Sequence, residues 1–321
     1  MNIQPAAAGA RLLGLGEHQP ANVVTNADLA ARMETSDEWI RSRVGIASRR
    51  IAGPDESIAD MAVAAGGKAL AASGLAPTDV DLVIVATCTM PTPIPSAAAQ
   101  VASRLGIPAP GAYDLNAACA GFVYGMATAA SAVTSGAARN VLLIGAEKLS
   151  DWVDQDDRST AIIFADGAGA AVLGPATEPE DVGVGPVVWG SAGEGADLIM
   201  IPARDKHLGQ EGQAVFRWAT TAMAPVAKEA CRRAGIEPTD LVAFIPHQAN
   251  LRIIEAIARK LGAPGVIIAD DIVEAGNTSS ASVPLALARM AARGQVRSGD
   301  PVLLLGFGAG LTYAGQVVLC P

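Results

Sequence analysis

An α/β protein made from one unit used twice is what this sequence predicts, and two observations carry that reading. G-x-x-P-T-D begins at Gly74 and again at Gly235, and the apolar runs VLLIG from Val141 and VLLLG from Val302 recur at the same spacing, 161 positions in both cases. Each half also passes through the same order of elements: an amphipathic helix, a Gly/Pro turn, a strand, a turn of small residues into a helix, and a further apolar strand. Strands alternating with helices in this way indicate an α/β architecture. The expected division separates residues 1–176, with Cys119, from residues 177–321, with His247 and Asn277.

In the first half, SGLAPTDVDLVIVAT ends a helix at Gly74, turns at the proline and enters a strand. YDL then reads as a strand end, NAA as a tight turn, and CAGFVYGMATAASAV as an alanine-rich helix starting near Cys119. The second half repeats this with AGIEPTDLVAFIPHQ, with Asn277 falling on Asn116 and the turn NTSSA on NAACA. Equivalent strand ends in two related units can face each other, so functional groups are expected from both halves, on strand-end loops.

With 321 residues, 50% hydrophobic and 17% charged, the chain can bury a large core and form two units of about 100–200 residues each. The opening MNIQPAAAGARLLGLG lacks a charged segment followed by a long apolar one, and no uncharged apolar run approaches the roughly 18 residues of a membrane span. A cytoplasmic protein is therefore expected, with no membrane partner. Cys88, Cys119, Cys231 and Cys320 stand far apart, without a C-x-x-C pair, and the chain has only three histidines, so neither a metal site nor a disulfide framework is expected. A net charge of −9 argues against nucleic acid as a general partner.

Cys119 has only alanine or glycine at the two positions on either side. A free cysteine is often a small core hydrophobe. A thiol at a helix start, however, faces unpaired N–H groups and the positive end of the helix dipole, which favour thiolate, and small neighbours let a carbonyl approach. His18, in GEHQP, and His207, in ARDKHLG, read as loop residues. His247 instead ends the apolar strand LVAFIP, where it can be structural or, with Cys119 and Asn277, an acid/base and hydrogen-bond donor. The run VLLLGFGAGLTY leads a strand into glycines. It lacks the third glycine of a dinucleotide fingerprint, which leaves a tight turn or a loop aiming backbone N–H groups at an oxyanion.

These residues, together with TSDEWIRSRVGI, NAACAGF, DDRSTAIIFADGAGAAVLG, GQAVFRWA, IPHQANLRII, GNTSSASVP and GFGAGLTY, resemble β-ketoacyl-acyl carrier protein synthase III of the thiolase-like superfamily over nearly the whole chain. The resemblance implies a five-layered αβαβα homodimer in which Cys119, His247 and Asn277 are catalytic and the backbone N–H groups of Cys119 and Ala309 hold the oxyanion. It implies an acyl-CoA primer and malonyl-acyl carrier protein as substrates and partners, with no cofactor. By the same resemblance Trp39 and Arg158 sandwich the CoA adenine, Arg43 meets its phosphates, and Gly212 and Asn250 lie along the pantetheine arm. Ile94, in the proline-rich loop TCTMPTPIPSAAAQ, then closes the acyl tunnel of the partner subunit.

Asparagine at position 277 can donate without the repulsion an aspartate would add beside a malonyl carboxylate, although a cysteine hydrolase also tolerates Cys, His and Asn. A starter-unit synthase or acyltransferase of a secondary-metabolite pathway, and a cysteine thioesterase, are the alternative readings. Arg252, Arg259 and Lys260 lie at i, i+7 and i+8 after His247, on one helical face. That face is either simply solvated or, as preferred here, a docking patch for an acidic carrier protein, weakened by Glu255. Ala275 stands where the family commonly carries a bulky residue, before the glycine of GNTS.

Overall fold

The computed structural model describes residues 7–203 and 206–321. Two five-stranded mixed sheets dominate it. The first has the order Gly111–Leu115, Leu82–Ala86, Val141–Lys148, Asp166–Ala176, Gly9–His18, and the second the order Ile267–Ile268, Ala243–Pro246, Pro301–Gly308, Thr312–Leu319, Val188–Ser191. The internal repeat extends to register: Leu82 pairs with Val141 in parallel, as Ala243 pairs with Val302, and all strands of one sheet precede all strands of the other in sequence.

The central strands are apolar on successive residues because both faces are covered. In the first sheet Leu142 and Ile144 face out onto Met61 and Ala65 of the helix Ile58–Ser73, whereas Leu143 faces in. In the second sheet Leu303 and Leu305 face out onto Met223 and Ile257, from the helices Gly212–Ala234 and Leu251–Leu261. Val302 and Leu304 face in. Between the sheets run the helices Gly121–Thr134 and Ser282–Ala292, whose Phe122, Met126, Val283 and Leu287 join both inner faces in one core. Each such side chain contributes about 1.5–3 kcal/mol by leaving water. The result is helix, sheet, central helices, sheet, helix.

An excursion from the first half covers one side of the junction. Ser36 caps the helix Asp37–Val44, and Ile40 and Val44 pack in one cluster with Ile254 and Ile272 of the second half. Fully buried Arg49 holds this excursion down by donating to the Val24 and Ile162 carbonyls and to Asn26 Oδ1.

One local expectation changes. His18 is the last residue of an edge strand, half-buried, with Nε2 2.8 Å from Glu56 Oε1, because strand pairing with Ala168 continues to that position. In GFGAG, Gly306 to Gly308 end the strand Pro301–Gly308 and residues 309–311 make the tight turn of an antiparallel hairpin into Thr312–Leu319, in keeping with one of the two readings of that run. His207 is exposed in its loop, as expected.

Candidate active site

The two central helices begin at the same place, and the turns before them meet there. Ala118–Ala120 and Ser279–Ala281 are single 3₁₀ turns leading into Gly121–Thr134 and Ser282–Ala292. In both, an asparagine side chain accepts a bond from the backbone two residues on: Asn116 Oδ1 from Ala118 N at 3.1 Å, and Asn277 Oδ1 from Ser279 N at 2.9 Å. In both, that second residue has a positive φ without being glycine, 45° at Ala118 and 49° at Ser279.

Cys119, His247 and Asn277 line one cavity of about 730 Å³, whose wall also includes Trp39, Arg43, Gly212, Asn250, Arg252, Phe307 and Ala309. His247 follows the strand Ala243–Pro246 and is fixed by its backbone N–H to the Leu305 carbonyl at 2.7 Å and by the edge of its ring against Phe307, 5.4 Å between centroids. Asn277 is anchored through its backbone to Ile163 and Ala165, both at 2.9 Å. Because its Oδ1 is committed to the Ser279 N–H, the donating Nδ2 is turned the other way.

Around the sulfur, Gly308 leaves the needed space: a Cβ there would lie 2.9 Å from Cys119 Sγ. Thr312 Oγ1 lies 3.0 Å from the carbonyls of both Ala117 and Ala309, which share its one proton, tying the glycine hairpin to the cysteine turn. Burial pushes the Cys119 thiol up to about 11, outweighing Ser279 and the backbone N–H groups of Ala309 and Cys119, which pull it down. Desolvation thus opposes the pull toward thiolate expected from the helix start. Burial drives His247 down to about 3, so its imidazole is neutral at pH 7.

Arg158 lies against Trp39 itself, its guanidinium carbon 4.7 Å from the ring centroid, with Arg43 at 5.7 Å. A flat base between Trp39 and Arg158 requires the guanidinium to swing out. Asn250 caps the helix Leu251–Leu261 and donates to the Arg43 carbonyl at 3.2 Å, joining the two mouth segments. Arg252 rests over Phe216 at 5.5 Å, while Arg259 and Lys260 lie further along the same helix, Arg259 near Glu255 and Lys260 bonded to the Thr220 carbonyl. Ile94 is outside this cavity and 79% exposed. Ala275 is buried and does not line the cavity.

Sequence reasoning missed three groups. Cys88 lines the same cavity, its thiol held up by burial and by Glu147. Glu147 is fully buried and accepts from Thr87, Cys88, Thr89, Ser279 and Ser280. Its signal was a charge inside the apolar strand VLLIGAEK. Ser282, within the small-residue run, touches His247. Among the described residues no group of His, Cys, Asp or Glu is arranged to hold a metal ion, and no helix is long and apolar enough to cross a membrane.

This geometry brings a thiol, an imidazole and a side-chain amide to one cavity of an αβαβα frame. Residues 113–193 match the family model for 3-oxoacyl-[acyl-carrier-protein] synthase III, and residues 231–320 match the model for its C-terminal part. A β-ketoacyl-[acyl-carrier-protein] synthase III of Streptomyces coelicolor is 54% identical, covering 98% of this chain and 99% of that protein. Among solved structures, the priming β-ketosynthase of a polyketide biosynthetic pathway superposes with a TM-score of 0.95 at 44% identity, over 99% of this chain and 98% of the other. The 3-oxoacyl-[acyl-carrier-protein] synthase III of Aquifex aeolicus gives 0.93 at 39% identity, over 97% and 100%. The chain belongs to the 3-oxoacyl-[acyl-carrier-protein] synthase III family.

Proposed function

We propose that this enzyme condenses an acyl-CoA primer with malonyl-acyl carrier protein, releasing carbon dioxide and giving a 3-oxoacyl-acyl carrier protein in the cytoplasm. The observation that carries this is the placement of Cys119 in one cavity with two neutral side chains that can donate, His247 and Asn277. Cys119 sulfur attacks the primer thioester, whose oxyanion is held by the Cys119 and Ala309 N–H groups. CoA leaves carrying the thiol proton, and the acyl group stays on sulfur. One oxyanion donor is typically worth about 3–4 kcal/mol.

The malonyl thioester then enters with its carbonyl oxygen toward His247 and Asn277. As the carboxylate departs as carbon dioxide, negative charge grows on that oxygen, and the two N–H donors stabilise it. The enolate carbon attacks the acyl-cysteine and expels the Cys119 thiolate, which takes a proton from solvent. Neither donor carries charge at neutral pH, so neither holds the substrate carboxylate by ion pairing against its loss as carbon dioxide. The steps require no flavin, nicotinamide or metal.

Trp39, Arg43, Arg158, Gly212 and Asn250 form the CoA entrance in this reading, with Arg158 leaving Trp39 to admit the base. Arg252, Arg259 and Lys260 form the carrier-protein patch beside it, which lets a chain of net charge −9 receive an acidic partner. The exposed edge strand Gly111–Leu115 and the exposed Ile94 support a homodimer in which Ile94 reaches the partner's acyl tunnel.

The resemblance to a priming β-ketosynthase of a polyketide pathway favours a second reading, in which the same condensation supplies starter units. Purified protein, malonyl-acyl carrier protein and a panel of acyl-CoAs test both, with products read by mass. A 3-oxoacyl product supports the condensation, and primer preference separates the two readings. Free acid without carbon–carbon bond formation would replace both with a thioesterase.

A further inference from the structure

His247 is one of only three histidines, and among the described residues its ring reaches a single side-chain partner besides Phe307. Ser282 Oγ lies 2.7 Å from His247 Nδ1, and the same oxygen accepts from the Gln248 backbone N–H at 3.2 Å. Both side chains are buried, His247 at 2% and Ser282 at 1% exposure. A hydroxyl has one proton to give. If Nδ1 carried the imidazole proton, Ser282 would accept two bonds, and its own proton would have no acceptor among the described residues. If Nδ1 is bare, the set closes: Gln248 donates to Ser282, Ser282 donates to Nδ1, and the imidazole proton is on Nε2, left for an acceptor in the cavity that His247 lines.

The duplicated fold gives independent support. Position 282 corresponds to Gly121 and position 247 to Ala86, both 161 residues earlier, and these also adjoin, since a Cβ on Gly121 would lie 3.3 Å from Ala86 Cβ. The same neighbouring positions thus hold glycine and alanine in one half and a serine–histidine pair in the other. A packing role alone is already met by the small pair.

We infer that Ser282 is a positioning residue that fixes His247 in the Nε2–H tautomer, making it a standing hydrogen-bond donor to the malonyl thioester oxygen and barring Nε2 from acting as a base toward Cys119. This rests on the condensation proposed above. It divides the reaction: decarboxylation depends on Ser282, and acylation of Cys119 does not. An imidazole held in the wrong tautomer loses its function even when its place is kept.

The test combines spectroscopy with separated half-reactions. In wild-type protein labelled with ¹⁵N-histidine, the signal removed by His247→Gln should show a protonated Nε2 and a bare Nδ1 at neutral pH. Ser282→Ala should slow malonyl-acyl carrier protein decarboxylation about tenfold or more while Cys119 acylation stays within about twofold, and Ser282→Thr should restore it. A protonated Nδ1 in the wild type overturns the inference even if neither variant folds. So does unchanged decarboxylation in Ser282→Ala, or an equal loss in both half-reactions. Wild-type protein that acylates but never condenses would instead sink the proposed function.

Discussion

The turn that presents Cys119 and the turn that presents Asn277 share backbone, cap and following helix, yet the wall facing each is different. Cys119 corresponds to Ser280, and Gly308, beneath the cysteine, corresponds to Glu147, beneath the serine. Gly308 leaves a hollow against the sulfur, and the hollow opens to the cavity. Glu147 fills the equivalent hollow with a carboxylate that accepts from Ser279 and from Ser280, whose oxygen is fully buried and also bonds the Ala86 carbonyl. Removing the side chain of one residue exposes a nucleophile, whereas placing a carboxylate there seals its counterpart. The closed turn then serves as a rigid mount for Asn277, whose orientation depends on the Ser279 N–H.

Exchanging the thiol between turns should break this comparison if openness is not what matters. Cys119→Ala should abolish the acyl adduct seen by intact-protein mass spectrometry after adding acyl-CoA. The double variant Cys119→Ala, Ser280→Cys should remain unacylated, because position 280 does not reach the cavity. An adduct on the transplanted thiol would show that the Glu147 wall does not seal the turn.

Filling the hollow on the open side should have the next largest effect. Gly308→Ala puts a Cβ 2.7 Å from Cys119 Cβ, and the displaced sulfur should acylate about 100-fold more slowly. Gly53→Ala, which meets no atom within 4 Å, should leave acylation unchanged. Stopped-flow release of CoA measures both.

A smaller, graded effect follows from the buried thiol. Its proton is held up to about 11, so the thiolate fraction should rise about tenfold per pH unit between roughly pH 7 and 9, and alkylation of Cys119 by iodoacetamide should rise with it. A rate already flat above pH 7 would mean that the helix terminus and N–H donors outweigh burial.

The repeat was legible because both halves keep the same register, and the cysteine was legible because its neighbours are small for a geometric reason: Gly306 and Gly308 crowd its turn. What escaped the sequence depends on distance in the chain. Ser282 is 35 positions from His247 and meets it only through the entry of a central helix. Glu147 shows its charge in an apolar strand but not its five donor residues, which come from two separate loops. A helix start beside the thiol is visible in sequence, whereas the desolvation that pushes that thiol up is not. Trp39 and Arg158 were expected to flank a ligand, and the structure brings the two side chains to the same place, against each other.

The central claim is that the two related asparagines have parted roles, Asn116 holding a turn and Asn277 also donating to the developing enolate. Asn277→Asp keeps an oxygen for the Ser279 N–H but loses the donor and adds charge beside the malonyl carboxylate, whereas Asn116→Asp keeps an oxygen for the Ala118 N–H of its turn. The measurement is the rate of carbon dioxide release from malonyl-acyl carrier protein by each pre-acylated variant, alongside its rate of acylation. Asn277→Asp should lose about 100-fold or more in decarboxylation with acylation nearly intact, and Asn116→Asp should lose neither. Equal losses in both half-reactions for Asn277→Asp, or the same decarboxylation defect in Asn116→Asp, would contradict the account.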